Sequence, residues 1–223
     1  WGKEELDKLG LDKVWLQPVM VPKWIRGAKE YAFIESEPGK TTTVNICALG
    51  GSVATPALGI KANVVEVQNF EELAALGKEN IEGKIVFLNQ PMDAAQIQTF
   101  KAYGACYAIR GNGAVEAAKL GAKAVVIRSL GLPQDLHPHT GSMHYESNVQ
   151  KIPAAALSTA EANDLSIELQ KGKVNFFLEM DCRDFPDAPS YNVMAEIRGS
   201  SHPNQIITIG DFSHQENSRE WGV

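Results

Sequence analysis

Asp211, His214 and Glu216 fall close together near the end of the chain. An imidazole between two carboxylates suits metal ligation or proton transfer, and His214 is the candidate metal ligand of the group. The segment just before it, Ile206-Ile207-Thr208-Ile209-Gly210, is a β-branched run closed by glycine. That pattern reads as a buried strand delivering a loop to a sheet edge. A second set is His137-x-His139 with His144, flanked by Asp135 and Glu146. Two-residue spacing places both imidazoles on one face of an extended segment. Pro138 opposes a regular strand, so a loop bonding its own backbone is the plainer reading.

Other chemistries find less support. Ser52 and Ser129 have no evident His/Asp partners for a nucleophilic triad. Gly50-Gly51-Ser52 and Gly111-Asn112-Gly113 lack phosphate-loop spacing. Gly113 precedes an Ala-rich helical stretch whose N-terminus could take an anion, but a simple turn explains these glycines. Cys47, Cys106 and Cys182 form no CxxC pair. Buried thiols are expected, with one long-range disulfide left open. The net charge of −6 and the lack of a Lys/Arg cluster argue against a nucleic-acid partner. No apolar run reaches the roughly 18 residues of a membrane span, and no signal peptide is recognisable. A chain beginning at Trp1 is expected of a mature, clipped or fragmentary protein.

The positioning elements follow from periodicity. Lys3–Leu9 reads as the end of a helix capped by Gly10. Val14–Val21 reads as a strand with Pro18 at a bulge or edge. Short strands are expected at Tyr31–Ile34, Thr42–Ala48 and Ala62–Val67. Asn69–Gly77 is a helix with Glu72 at the capping-box position. Gly83–Asn89 and Ala124–Arg128 are buried strands joined through a helix over Gly113–Leu120, a parallel right-handed unit. His137–Gln150 is irregular, and Lys151–Leu157 is extended. Ser158 and Glu161 have capping-box spacing for a helix to Lys171. Val174–Met180 and Tyr191–Ile197 are strands, the latter followed by a turn over Arg198–Gln205. Pro22–Gly27 and Phe185–Pro189 read as two punctuated linkers bracketing a compact insertion.

A family resemblance rests on several of these segments taken in order. They are Val19–Gly27, Gly83–Pro91, Gly113–Lys119, Ile127–Ser129, Pro138–Gly141, Lys151–Ala154 and Ser190–Ile197. Together they resemble the carboxypeptidase Q (plasma glutamate carboxypeptidase) family of two-zinc exopeptidases, over about Leu6 to Gly210. The resemblance implies an α/β protein in which a protease-associated domain, a mixed β-sandwich or open barrel with flanking helices, interrupts a zinc-exopeptidase α/β sandwich. Residues 1–27 and 190–210 would then be peptidase pieces, 28–185 the insertion, and 211–223 a divergent or truncated tail. The Trp15 segment and the stretch around Ile207 are expected side by side in one ladder.

In such enzymes two zinc ions about 3.5–4 Å apart activate a bridging water. Imidazoles and carboxylates hold them, and a separate Glu moves the proton. The family would place Gly-His-x-Asp-Ser directly after Gly210, where this chain has Asp211–Ser218 instead. His214 could be a shifted echo of the first ligand, but one His and one Glu cannot hold two metals. The resemblance implies that the catalytic Glu and the remaining metal ligands come later still, so the catalytic residues are expected beyond Val223, the last residue of this chain. The chain alone is therefore expected not to hydrolyse dipeptides or peptide termini. The resemblance further implies His139 as a substrate contact, peptide as substrate, a homodimer, and a secreted, periplasmic or lysosomal setting. The competing expectation is a non-catalytic protease-associated module that binds peptides or a partner protein.

Overall fold

The computed structural model of the 223-residue chain describes residues 1–210. The described residues divide into two compact units, Trp1–Lys23 with 185–210, and Trp24–Asp184.

In the first unit, helix α1 (Gly2–Asp7) is braced by Lys3–Asp7 and Lys8–Glu5 ion pairs, each at 2.7 Å. Strands β1 (Lys13–Ile25) and β10 (Arg183–Glu196) form a two-stranded ribbon. Asp12 donates its amide to Glu196 at 3.1 Å, Gln17 meets Asn192, and Lys23 sits over the Phe185 ring. Those contacts run in opposite directions along the two segments, so the pairing is antiparallel.

Both expected linkers are corrected by this ribbon. Pro22–Ile25 and Phe185–Pro189 lie within the strands. A two-stranded ribbon has only edges, and an edge tolerates proline where its missing donor faces out. The strand expected over Ile206–Gly210 is absent, and Ile206, Ile207 and Ile209 are about 90 % exposed (89, 89 and 92 %). β-Branched residues become strand through cross-strand neighbours, and among the described residues nothing pairs with this run. The ladder expected between the Trp15 segment and Ile207 is thus not present; the partner of that segment is β10.

The second unit is built on an eight-stranded mixed sheet in the order β3-β2-β9-β5-β6-β7-β8-β4. Its strands are β2 (Glu30–Glu37), β3 (Lys40–Val44), β4 (Ile46–Ala48), β5 (Ile60–Val67), β6 (Ile85–Leu88), β7 (Ala124–Arg128), β8 (Ala154–Leu157) and β9 (Asn175–Met180). β5 to β8 run parallel, and the outer pairs are antiparallel. The sheet's two outermost strands, β3 and β4, are separated in sequence by Asn45 alone. A sheet whose first and last strands are consecutive must curl back on itself, so this one is a partly closed barrel. The expected single strand Thr42–Ala48 breaks at that corner.

Glu161 holds the corner. Its Oε1 accepts from the Asn45 amide at 2.8 Å and from Asn45 Nδ2 at 3.0 Å. The same residue closes the capping box of α4 (Thr159–Lys171), where Ser158 Oγ accepts from the Glu161 amide and donates to Glu161 Oε2 at 2.5 Å. Ser158→Ala should cost about 1–2 kcal/mol in urea unfolding, since it removes a cap and a donor to a buried carboxylate. A cost near zero would show the box to be decorative.

Every residue of β6, β7 and β8 is buried, so alternate residues feed cores on opposite faces. Ile85, Phe87, Val126 and Leu157 join Phe176 and Leu178 inside the curl, with Leu165 of α4. Val86, Leu88, Val125 and Ile127 face Leu73 and Ile81 of α2 (Phe70–Ile81) and Ile109 and Ala117 of α3 (Thr99–Lys119). Burial on both faces is why these strands read as unbroken apolar runs. The helix expected over Gly113–Leu120 in fact begins at Thr99. Gly113 lies inside it because a Cβ there would meet Leu88 Cδ1 at 2.5 Å. The glycine sets how closely α3 rests on β6, and no helix N-terminus exists at that point.

Candidate functional site

At the carboxyl ends of β5, β6 and β7 lie Glu66, Asn89, Arg128 and Ser129, the side of a parallel sheet where ligands commonly bind. Two buried guanidinium groups, Arg128 and Arg110, belong to this region, and their surroundings differ.

Arg128, 6 % exposed, donates from Nη1 to Asn163 Oδ1 at 2.7 Å and to Asn89 Oδ1 at 3.3 Å. Asn89 Nδ2 in turn donates to Glu66 Oε1 at 2.6 Å, and Ser166 Oγ donates to the same carboxylate. The cation is therefore linked to a carboxylate through one amide, and burial lowers its pKa. This network joins α4 to three strand ends and has a structural role.

Arg110, also 6 % exposed, is not satisfied in this way. Its Nε is fully buried and has no hydrogen-bond acceptor among the described residues. Tyr107 and Tyr103 lie one and two turns back on α3, with ring centres 5.0 and 5.4 Å from its Cζ. Cation–π contact recovers about 0.5–2 kcal/mol per ring, less than the several kcal/mol of desolvating a cation. Gly141 closes over the group; a Cβ there would stand 2.6 Å from Cζ and Nη1. The guanidinium is thus flanked by two aromatic rings and covered by Gly141, with its Nε donor unsatisfied among the described residues.

The segment carrying Gly141 is fixed at many points. Ser129 Oγ accepts from the His139 amide at 2.8 Å and donates to Leu157 O at 2.7 Å. Thr140 Oγ1 donates to Ala48 O, the Gly50 amide donates to Gly141 O, and the His144 amide donates to Gly111 O. A parallel bridge joins Gly50 to Ser142. The loop over Arg110 is thus held by β4, β7, β8 and α3 together.

The residues singled out from sequence divide accordingly. His139 sits on this fixed loop, 44 % exposed, with Nε2 3.8 Å from Asp135 Oδ2. His137 and His144 do not join it in a cluster. Among the described residues no group of three or more His, Cys, Asp or Glu side chains could hold a metal. The described residues end at Gly210, so His214 lies outside them, as do the chain's last residue, Val223, and the catalytic residues expected beyond it. Ser52 and Ser129 spend their hydroxyls on backbone partners. Burial raises the thiol pKa of Cys106 and pushes that of Cys182 up to about 12. Arg110 was not among the sequence candidates. Its signal was present: Phe100, Tyr103, Tyr107 and Arg110 share one helical face if the helix begins at Thr99.

Among the described residues no helix is long and apolar enough to cross a membrane. No protein-family model matches the chain. Carboxypeptidase Q of Xenopus laevis is 41 % identical over 207 residues, which are 92 % of this chain and 42 % of that protein. The human carboxypeptidase Q is 38 % identical over 92 % of this chain and 41 % of its own length. The chain thus spans about two-fifths of the curated relatives it matches. A crystal structure of a peptidase M28 precursor from Shewanella amazonensis superposes with a TM-score of 0.84 at 37 % identity, covering 90 % of this chain and 45 % of that one. This agreement bears out the mixed α/β fold with flanking helices. Over that shared two-fifths, the chain is a homologue of the carboxypeptidase Q proteins.

Proposed function

We propose that this chain is the substrate-recognising part of a zinc-dependent exopeptidase of carboxypeptidase or dipeptidase type. The observation that carries the reading is Arg110, a buried cation whose Nε has no acceptor among the described residues, set under a fixed loop in a relative of carboxypeptidase Q. A carboxypeptidase or dipeptidase must recognise a free C-terminal carboxylate. A guanidinium fork supplies that with charge and direction together. His139, on the same loop, contacts the bound peptide. Residues 28–185 act as the inserted protease-associated domain, and residues 1–27 and 190–210 as strands of the interrupted peptidase scaffold. The ligands for zinc come from residues other than those described, His214 being the one candidate this sequence offers, and the catalytic residues follow Val223 in the longer protein. By itself the chain performs no hydrolysis.

The experiment has two parts. Dipeptide hydrolysis is measured for the purified chain with zinc added, and for the same chain extended to the full length of its relatives. The expected result is zinc-dependent turnover only in the longer protein. Turnover by this chain alone would refute the division of labour. Dipeptide binding without turnover in both would favour the non-catalytic binding module.

A further inference from the structure

We propose that a groove at the opposite end of the second unit binds an acidic peptide segment. The groove has a volume of about 670 Å³, within the usual range of ligand sites. It opens where β5, β7 and β8 begin, beside Ile60, Lys123 and Pro153, at the far end of those strands from Arg128 and Ser129. Its rim carries Lys61, Lys123 and Lys151, and no lining residue is acidic.

That charge pattern runs against the rest of the molecule, in which 27 acidic residues outnumber 21 basic ones. Elsewhere on the unit Lys29, Lys78, Lys119 and Lys171 each lie beside a carboxylate, while Lys84, Lys101 and Lys173 have no ion-pair partner among the described residues. Lys61 keeps Glu35 at 2.7 Å. Lys123 and Lys151 have no ion-pair partner among the described residues, and Lys151 Nζ stands over the Tyr145 ring at 5.3 Å. Two lysines without a carboxylate partner, Lys123 and Lys151, on the rim of an open trough favour separated negative charges, as point charges do. The floor, formed partly by Ile60, Ile152 and Pro153, offers apolar contact that a bare inorganic anion cannot use. Alternating acidic and aliphatic side chains on an extended peptide satisfy both features. The site does not depend on the peptidase reading, because it needs no terminal carboxylate and does not involve Arg110.

The test is fluorescence anisotropy on the full chain with a labelled peptide of alternating Glu and Leu, acetylated and amidated at its ends. A Gln/Leu peptide is the control for charge. The expected result is saturable binding of the Glu peptide, at least about tenfold weaker for the Gln peptide, and weakened by added salt. Lys123→Glu with Lys151→Glu, both at exposed positions, should weaken binding at least about tenfold, with unchanged thermal unfolding. Equal affinity in that double variant, or no binding of the Glu peptide, would overturn the proposal. Displacement by inorganic phosphate at low concentration would also overturn it, since the groove would then be a simple anion site.

Discussion

Replacing Arg110 with methionine is expected to weaken the binding of free peptide carboxylates by about 10–150-fold and to leave the fold nearly as stable as before. The first figure follows from losing a hydrogen bond between charged partners, worth about 1.5–3 kcal/mol. The second follows from the same burial. An unpaired guanidinium costs desolvation energy in the unliganded protein, and its two aromatic neighbours return only part of it. Methionine fills similar space without the charge, so the change in unfolding free energy should stay within about 1 kcal/mol. Calorimetric titration with a dipeptide, paired with urea unfolding, reads both quantities. A large loss of stability with unchanged binding would make Arg110 a structural residue like Arg128. Arg110→Lys keeps the charge but loses the fork, and it should recover only part of the affinity.

Phe87→Ala should be the most destabilising single truncation in the second unit, at about 3–5 kcal/mol. Phe87 is fully buried on the inner face of the curled sheet, beside Ile85, Val126 and Phe176. Strands on either side fix its backbone through the parallel ladders to β5 and β7. The walls therefore cannot collapse onto the vacated space, and the cavity term is added to the lost transfer energy. Against a total stability of about 5–15 kcal/mol, this loss should lower the urea midpoint by about a fifth or more. Val86→Ala, one residue away on the outer face, removes less volume and should cost less. Equal costs for the two would contradict the assignment of the curl's interior as the tighter core.

The local rules in the sequence were legible where one residue type can do one thing. Asn69 and Ser158 cap their helices by accepting from the Glu72 and Glu161 amides as the spacing predicts, while the two carboxylates reach back to the Gln68 amide and the Ser158 hydroxyl. The fully apolar strands appear as expected, because burial on both faces leaves an unbroken apolar run. The misreadings arose where tertiary contact overrides local preference. Gly111 and Gly113 suggested a turn, yet they lie inside α3, with close neighbours in Tyr107 and Leu88. Proline marked the ends of β1 and β10 as linkers, yet an edge ribbon accepts it. Ile206–Ile209 has strand composition but no partner strand among the described residues.

The candidate site was legible only in part. The Pro138–Gly141 loop could be picked out by its residues, but its role over Arg110 could not. That role depends on Gly141 meeting a guanidinium 31 positions away in sequence, and on Nε being left without an acceptor among the described residues. Neither fact has a local signature. The sequence did direct attention to histidines, the usual carriers of metal and proton chemistry, whereas the structure points instead to an arginine.

On this reading Arg110 is the receptor for a peptide's terminal carboxylate. The most direct measurement follows the Arg110 Nε–H resonance of the isotopically labelled chain during titration with glycyl-phenylalanine and, separately, with its amide. A saturable downfield shift is expected with the free acid, and at most a much weaker response to the amide. No shift with the acid, or equal shifts with both, would contradict it.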